Sequence, residues 1–205
     1  KIDERFKNLK KIQNVFLNCY FNSSKTEDLF FEITSNQSTD FSRYNYFYAS
    51  YLADIGKVES ANSIINEALK HYPRNLLLNQ YRVDLKKNNN VRAFDCKKEE
   101  HVIAEILYIT ANALSSQNIY SLSNFYLNLA KFLNEDFHSY DTLLAENFYK
   151  TNNYIKAKKI YNNLSQYGEA FNWYSSKQLA KIYIKTEKKN DALELLKKSY
   201  DNLLK

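Results

Sequence analysis

The sequence predicts an all-α chain folded as a solenoid of antiparallel helix pairs, and three observations carry that expectation. A pattern of small residues, with large aliphatic or aromatic residues between them, returns every 34 or 35 residues. Apolar positions recur at spacings of three and four, the period of one helix face. The 205 residues include 2 Gly and 1 Pro, too few for the turns of an all-β fold or for a Gly-rich phosphate loop. A two-helix unit of this length buries its apolar face by stacking on its neighbours, and such stacks commonly hold another molecule in their curve.

Taken in order, residues 4–20 place Phe6, Leu9, Ile12, Phe16 and Cys19 on one face of an amphipathic helix. A second helix is expected over Glu27 to Thr34. The polar stretch Ser35 to Asp40 reads as a loop, with Asp40 or Ser42 as the N-cap of the next helix. Residues 1–40 are therefore a degenerate helical pair, packed on the array or left from an earlier repeat.

Repeat one spans 42–75. Asp54 to Lys57 form the turn between its helices, where Gly56 can take the left-handed conformation that ends a helix, and Pro73 stops the second helix. Leu76 to Leu85 is helical again, but the polar segment Lys86 to Lys98, with Asn88, Asn89 and Asn90 in a row, breaks the period. Residues 76–103 are thus a half-repeat with a loop insertion. Repeats two, three and four occupy 104–137, 138–172 and 173–205, with one extra residue near Gly168. The last helix, Asp191 to Leu204, exposes Lys197, Lys198 and Asp201, as a terminal cap would.

The matches in successive units are Ala49, Leu52, Ala61, Ile65, Ala68 and Pro73, then Ala111, Leu114, Ser123, Leu127 and Ala130. Leu144, Ala145, Phe148, Ala157 and Tyr161 come next, and then Leu179, Ala180, Tyr183, Ala192, Leu196 and Ser199. On these residues the chain resembles the tetratricopeptide repeat family over about 160 of its 205 residues. Leu164 replaces the late small residue of unit three, and only unit one keeps the Pro. The resemblance implies a right-handed superhelical array in which Ala145 faces Ala157 at close approach while Phe148 and Tyr161 fill the gap to the next unit.

The resemblance also implies that first helices line the concave wall, with side chains one, four and eight residues into each unit facing inward. Here they are Arg43, Tyr46 and Ser50; Glu105, Tyr108 and Asn112; Ser139, Thr142 and Glu146; and Tyr174, Lys177 and Lys181. Lys177, Lys181 and Lys185 form one row at a spacing of four, where like charges repel by a few tenths of a kcal/mol per pair. Residues 150–205 hold 12 Lys against 5 acidic groups, while the other residues hold 17 basic and 18 acidic, so the whole excess sits at one end. Some family members hold a partner's C-terminal carboxylate with Lys and Asn. Tyr46 and Ser50 stand where unit one would need such residues, so that clamp is not expected.

Cys19 and Cys96 have no Cys or His neighbour at metal spacing, and each reads as a small hydrophobe in a helix interface; a disulfide between them is open but nothing in the sequence argues for it. His71, His101 and His138 fall at helix ends, where a His complements the helix dipole more often than it acts as a base. No nucleophile elbow or metal-binding pair is present, so no catalytic residue, cofactor or metal is expected. No run reaches the ~18 apolar residues of a membrane span. Both a cytoplasmic chain and one exported after loss of an N-terminal signal fit. The expected function is a protein- or peptide-binding scaffold without catalysis of its own, with a partner that is acidic. A nucleic-acid-binding repeat and a helical accessory domain of a larger enzyme are the alternatives; the near-neutral charge of units one to three argues against the former.

Overall fold

The computed structural model describes residues 7–35, 41–87 and 93–203. These form eleven α-helices: α1 (Lys7–Tyr20), α2 (Thr26–Thr34), α3 (Ser42–Asp54), α4 (Val58–His71), α5 (Leu76–Lys86), α6 (Glu99–Ser116), α7 (Tyr120–Leu133), α8 (Ser139–Lys150), α9 (Tyr154–Leu164), α10 (Glu169–Lys185) and α11 (Lys189–Leu203). No strand occurs among the described residues. The protein is all-α and consistent with a helical repeat. The chain divides into two compact units, Lys1–Val102 and Ile103–Lys205. Within them helices pack on their neighbours in sequence: α1 on α2, α2 on α3, α3 on α4 and α5, then α7 on α8, α8 on α9, α9 on α10 and α10 on α11. Two expected starts shift, because α6 begins at Glu99 rather than Ala104 and α10 at Glu169 rather than Trp173.

Five helices end in the same turn. Asn22, Gly56, Asn118, Asn152 and Glu187 have φ of 51°, 83°, 64°, 57° and 60°, the left-handed region in which a helix stops. At each, the amide of the following residue donates to the carbonyl five residues back, at 2.8–2.9 Å, as in Lys57 to Leu52 and Asn153 to Phe148. Orphan carbonyls of the helix end are thereby satisfied while the chain reverses. The turn residues are 34 apart from Asn22 to Gly56, 34 from Asn118 to Asn152 and 35 from Asn152 to Glu187. Asn22 therefore puts α1 and α2 in register with the later pairs.

Counting from each turn residue explains the small side chains. Seven residues before it lie Ala49, Ala111, Ala145 and Ala180, and five after it lie Ala61, Ser123, Ala157 and Ala192, all buried. The Ser123 hydroxyl donates to the Ala111 carbonyl at 2.8 Å, so these two positions meet where the helices of a pair cross. A larger side chain at either would push the backbones apart.

In the first unit the core is aromatic. Phe16 of α1 contacts the rings of Phe30, Tyr44, Phe47 and Phe94 at 5.4–6.3 Å, and Phe30 stacks on Tyr48 at 5.5 Å. α5 starts 34 residues after α3, as the first helix of a pair does. The polar stretch after it includes residues 88–92, which lie outside the described residues. Residues 93–98 are more than a simple loop: Phe94 is buried against Phe47, and the Asp95 amide donates to His101 Nδ1 at 3.0 Å. Cys96 forms a disulfide with Cys19, Cα to Cα 5.9 Å, across 77 residues of sequence. This corrects the reading of the cysteines as unpaired hydrophobes. Both are buried, but Phe94 draws the chain onto α1 and brings their sulfurs together. In the loop-entropy picture a closure of this length stabilises the fold by on the order of 4 kcal/mol.

The N-cap expectation for α3 is also revised. Asp40 lies outside the described residues, and Phe41 holds the cap position without a side-chain bond. Ser42 is instead the first helical residue, and its hydroxyl accepts from Asn75 Nδ2 at 3.0 Å. Asn75 Oδ1 in turn caps α5 by accepting from the Leu78 amide at 3.1 Å. One asparagine thus ties together the starts of α3 and α5.

The second unit carries a buried polar clasp. Asn147 of α8 is fully buried; its Oδ1 accepts from the Ser115 hydroxyl at 2.6 Å, and its Nδ2 donates to Ser123 Oγ at 2.8 Å and Asn124 Oδ1 at 2.9 Å. α6, α7 and α8 are joined through that one amide. Buried Asp141 pairs with Lys131 across α7 and α8, and the Ser199 hydroxyl bonds Ser176 between α10 and α11 at 2.6 Å. At the crossing of α8 and α9, Ala145 and Ala157 are both at 0% exposure. Ala145→Leu is expected to lower stability by about 1–3 kcal/mol in a thermal or urea melt; an unchanged melt would place Ala145 away from the crossing.

Candidate functional site

The candidate wall residues fall in both units. In the first, Arg43, Tyr46 and Ser50 lie along α3. Arg43 is half-buried with its guanidinium 5.4 Å from the Phe47 ring centre. Tyr46 and Ser50 are only 3% and 5% exposed, which corrects the expectation that they line an open wall. The reason is α5, which packs on α3: Tyr81 meets the Tyr46 ring edge-on at 4.9 Å. The inserted half-repeat covers the face that unit one would otherwise present.

In the second unit, Glu105 is fully buried and Ser139 is 8% exposed, so neither lines an open surface. Both sit one position into their units, where the helix face turns toward its packed neighbour. Tyr108 is half-buried with its ring 5.7 Å from that of Tyr140, and Asn112 is exposed. Thr142 is half-buried and donates to the Ser139 carbonyl of its own helix at 2.7 Å.

Glu146 and Tyr174 are brought together. The Tyr174 hydroxyl donates to Glu146 Oε1 at 2.6 Å, linking α8 to α10. The Tyr161 ring lies edge-on to Tyr174 at 6.0 Å. Burial raises the Tyr174 and Tyr161 hydroxyls well above the usual tyrosine range, and the Glu146 carboxylate adds to both shifts. Glu146 is thereby engaged as an acceptor and its charge is partly spent inside the protein.

Beyond Tyr174 on α10 come Lys177, Lys181 and Lys185, all exposed. Lys177 Nζ lies 5.6 Å from the Trp173 ring centre. None of the three forms an ion pair among the described residues, whereas Lys11, Lys57 and Lys70 each find a glutamate. Three ammonium groups at a spacing of four thus stand in solvent along one helix face.

The histidines have structural surroundings. His101 Nδ1 accepts the Asp95 amide, His138 stacks on Tyr167, with burial lowering its pKa, and exposed His71 lies 3.7 Å from Glu67 in the last turn of α4. Among the described residues no helix is long and apolar enough to cross a membrane. A scan of protein-family models finds no match to the chain, and a search of curated proteins finds none similar.

The buried tyrosines make a pH prediction. Burial pushes Tyr81 up to about 12 from its ordinary 10.0, and Tyr46, Tyr161 and Tyr174 further in the same direction. The folded state holds these protons more tightly, so their contribution is complete below pH 10 and is lost as pH rises toward 12. An alkaline titration is expected to show exposed tyrosines ionising first and a second, cooperative rise in phenolate absorbance coincident with loss of helical signal. A single smooth ionisation with helices intact would contradict the placement of these rings.

Proposed function

We propose that this chain is a binding scaffold of the tetratricopeptide-repeat type, a right-handed superhelical stack of helix pairs that acts by holding a segment of another protein rather than by catalysis. The turn residues returning at 34 or 35 and the small residues at the crossings support the repeat type. The surface proposed for binding is the face of α10 that continues from Tyr174 through Lys177, Lys181 and Lys185. The observation that carries this reading is the row of lysines without ion pairs. Parallel ammonium groups on one face repel one another unless an anion lies between them, so an acidic or carboxylate-bearing segment relieves the repulsion on binding.

The Glu146–Tyr174 bond supports the wall geometry, because it joins the inward positions of units three and four. Tyr108 and Asn112 extend the same row of first helices to α6; Tyr46, covered by Tyr81, is withdrawn from it. A disulfide between Cys19 and Cys96 favours residence in an oxidising compartment, as for an exported protein.

The test is a titration with a labelled glutamate-rich peptide bearing a terminal carboxylate. Lys177→Glu with Lys181→Glu is expected to weaken binding several-fold and to flatten its salt dependence, with helical content unchanged because both side chains are solvated. Equal binding by the double variant and the parent would remove this face from the interaction. Tighter, salt-sensitive retention on single-stranded RNA than on the peptide would favour the nucleic-acid alternative.

A further inference from the structure

α7 carries two opposed apolar faces, and only one is used inside the protein. Ser123, Leu127 and Ala130 are buried against the rest of the second unit. On the other side Leu122, Phe125, Leu129 and Phe132 are 44%, 56%, 38% and 86% exposed, with Ile119 at 44% just before the helix. Their spacings of three, four and three are those of the a and d positions of a heptad, the seam along which one helix receives another.

The neighbouring second helices of the pairs differ. α4 exposes Glu59, Glu67 and Lys70, and α9 exposes Lys156 and Lys159, as an outer helix face ordinarily does. The one charged residue of α7 is Lys131, which is taken up by Asp141. An outer face with two phenylalanines and no uncompensated charge marks an interaction surface.

We infer that this ridge pairs with the α7 of a second copy of the chain about a two-fold axis. A heptad seam asks for a helix with the same spacing, and the chain itself supplies one. A two-fold contact sets the same patch of both copies together, so the patch must complement itself. On a chain of net charge +6 most self-contacts set like charges together, but this strip sets none.

The area suffices. A phenylalanine side chain buries ~200 Å², so Phe125 and Phe132 together expose about 300 Å², and the three aliphatic residues raise the ridge to roughly 500 Å². Two copies then remove on the order of 1,000 Å² from water, the size of a weak, concentration-dependent contact. A lipid surface fits less well. Helices that lie in a membrane interface carry Lys or Arg along their polar edge, whereas the polar residues exposed beside this ridge are Ser121 and Asn128.

Analytical ultracentrifugation of the full, disulfide-bonded chain over a range of concentrations tests the proposal. The parent is expected to be in monomer–dimer equilibrium, and Phe132→Glu, on the most exposed ridge residue, to raise the dimer dissociation constant at least ~30-fold, as loss of an anchor does. Phe125→Ser with Phe132→Ser provides a milder version, and circular dichroism reports folding of each. Ile155→Glu alters an equally bare apolar residue, 82% exposed on α9, and is expected to leave the dimer intact. A parent that stays monomeric at every concentration overturns the inference. So does a dimer that survives the ridge substitutions or is lost equally with Ile155→Glu, and so does a monomer that instead co-sediments with phosphatidylcholine vesicles.

Discussion

Each helix pair in this protein depends on one residue held in the left-handed conformation. At Asn22, Gly56, Asn118, Asn152 and Glu187 the helix cannot continue, and the next two residues send the chain back along it. The returning helix crosses at a fixed distance from the turn, so the residues that meet are set by counting from it. In four of the pairs alanine or serine stands at those positions, which lets the helices approach closely; at the Asn22 pair they are Val15 and Glu27. The turn and the crossing together therefore fix the register within each pair.

Much of this was legible in the sequence because small residues in register are visible without knowing the turn. Gly56 could be assigned since glycine is the residue that left-handed turns favour. Asn118 and Asn152 gave a weaker signal, as asparagine tolerates that conformation but is abundant throughout the chain, and Glu187 gave none. The register of Asn22, 34 residues before Gly56, was there to be counted, yet the apolar pattern around it is too degenerate to have drawn attention. Burial of Glu105 and the pairing of two cysteines 77 residues apart depend on tertiary neighbours and left no local trace.

The wall residues were only partly readable for a related reason. The rule that first helices face an open groove assumes regular stacking, and it fails at α3 because an unpaired helix comes after its pair. α5 sets its Tyr81 against Tyr46 and closes that face. The segment behind it, through Phe94 and Cys96, then secures α1. The irregularity thus contributes to the core of the first unit while removing part of its candidate surface. In the second unit the pairs are regular, the lysines of α10 stay in solvent, and the ridge of α7 lies on a second helix rather than a first. Two surfaces of opposite character, one cationic and one apolar, thus lie on a first helix and a second helix of different pairs.

Backbone geometry at the turn closes each pair, and among the described residues only at Asn118 and Asn152 does the turn residue's side chain also accept a bond, from the Tyr120 and Tyr154 hydroxyls. Glu187 tests this most directly, because its side chain is exposed and the next residue bonds through the backbone alone. Urea unfolding of Glu187→Gly and Glu187→Val separates the two contributions, since both remove the carboxylate and only valine keeps a β-carbon, now branched, at φ 60°. The glycine variant is expected to be at least as stable as the parent and the valine variant less stable than the glycine variant by about 1–2 kcal/mol. Equal midpoints for glycine and valine would contradict a turn closed by backbone geometry.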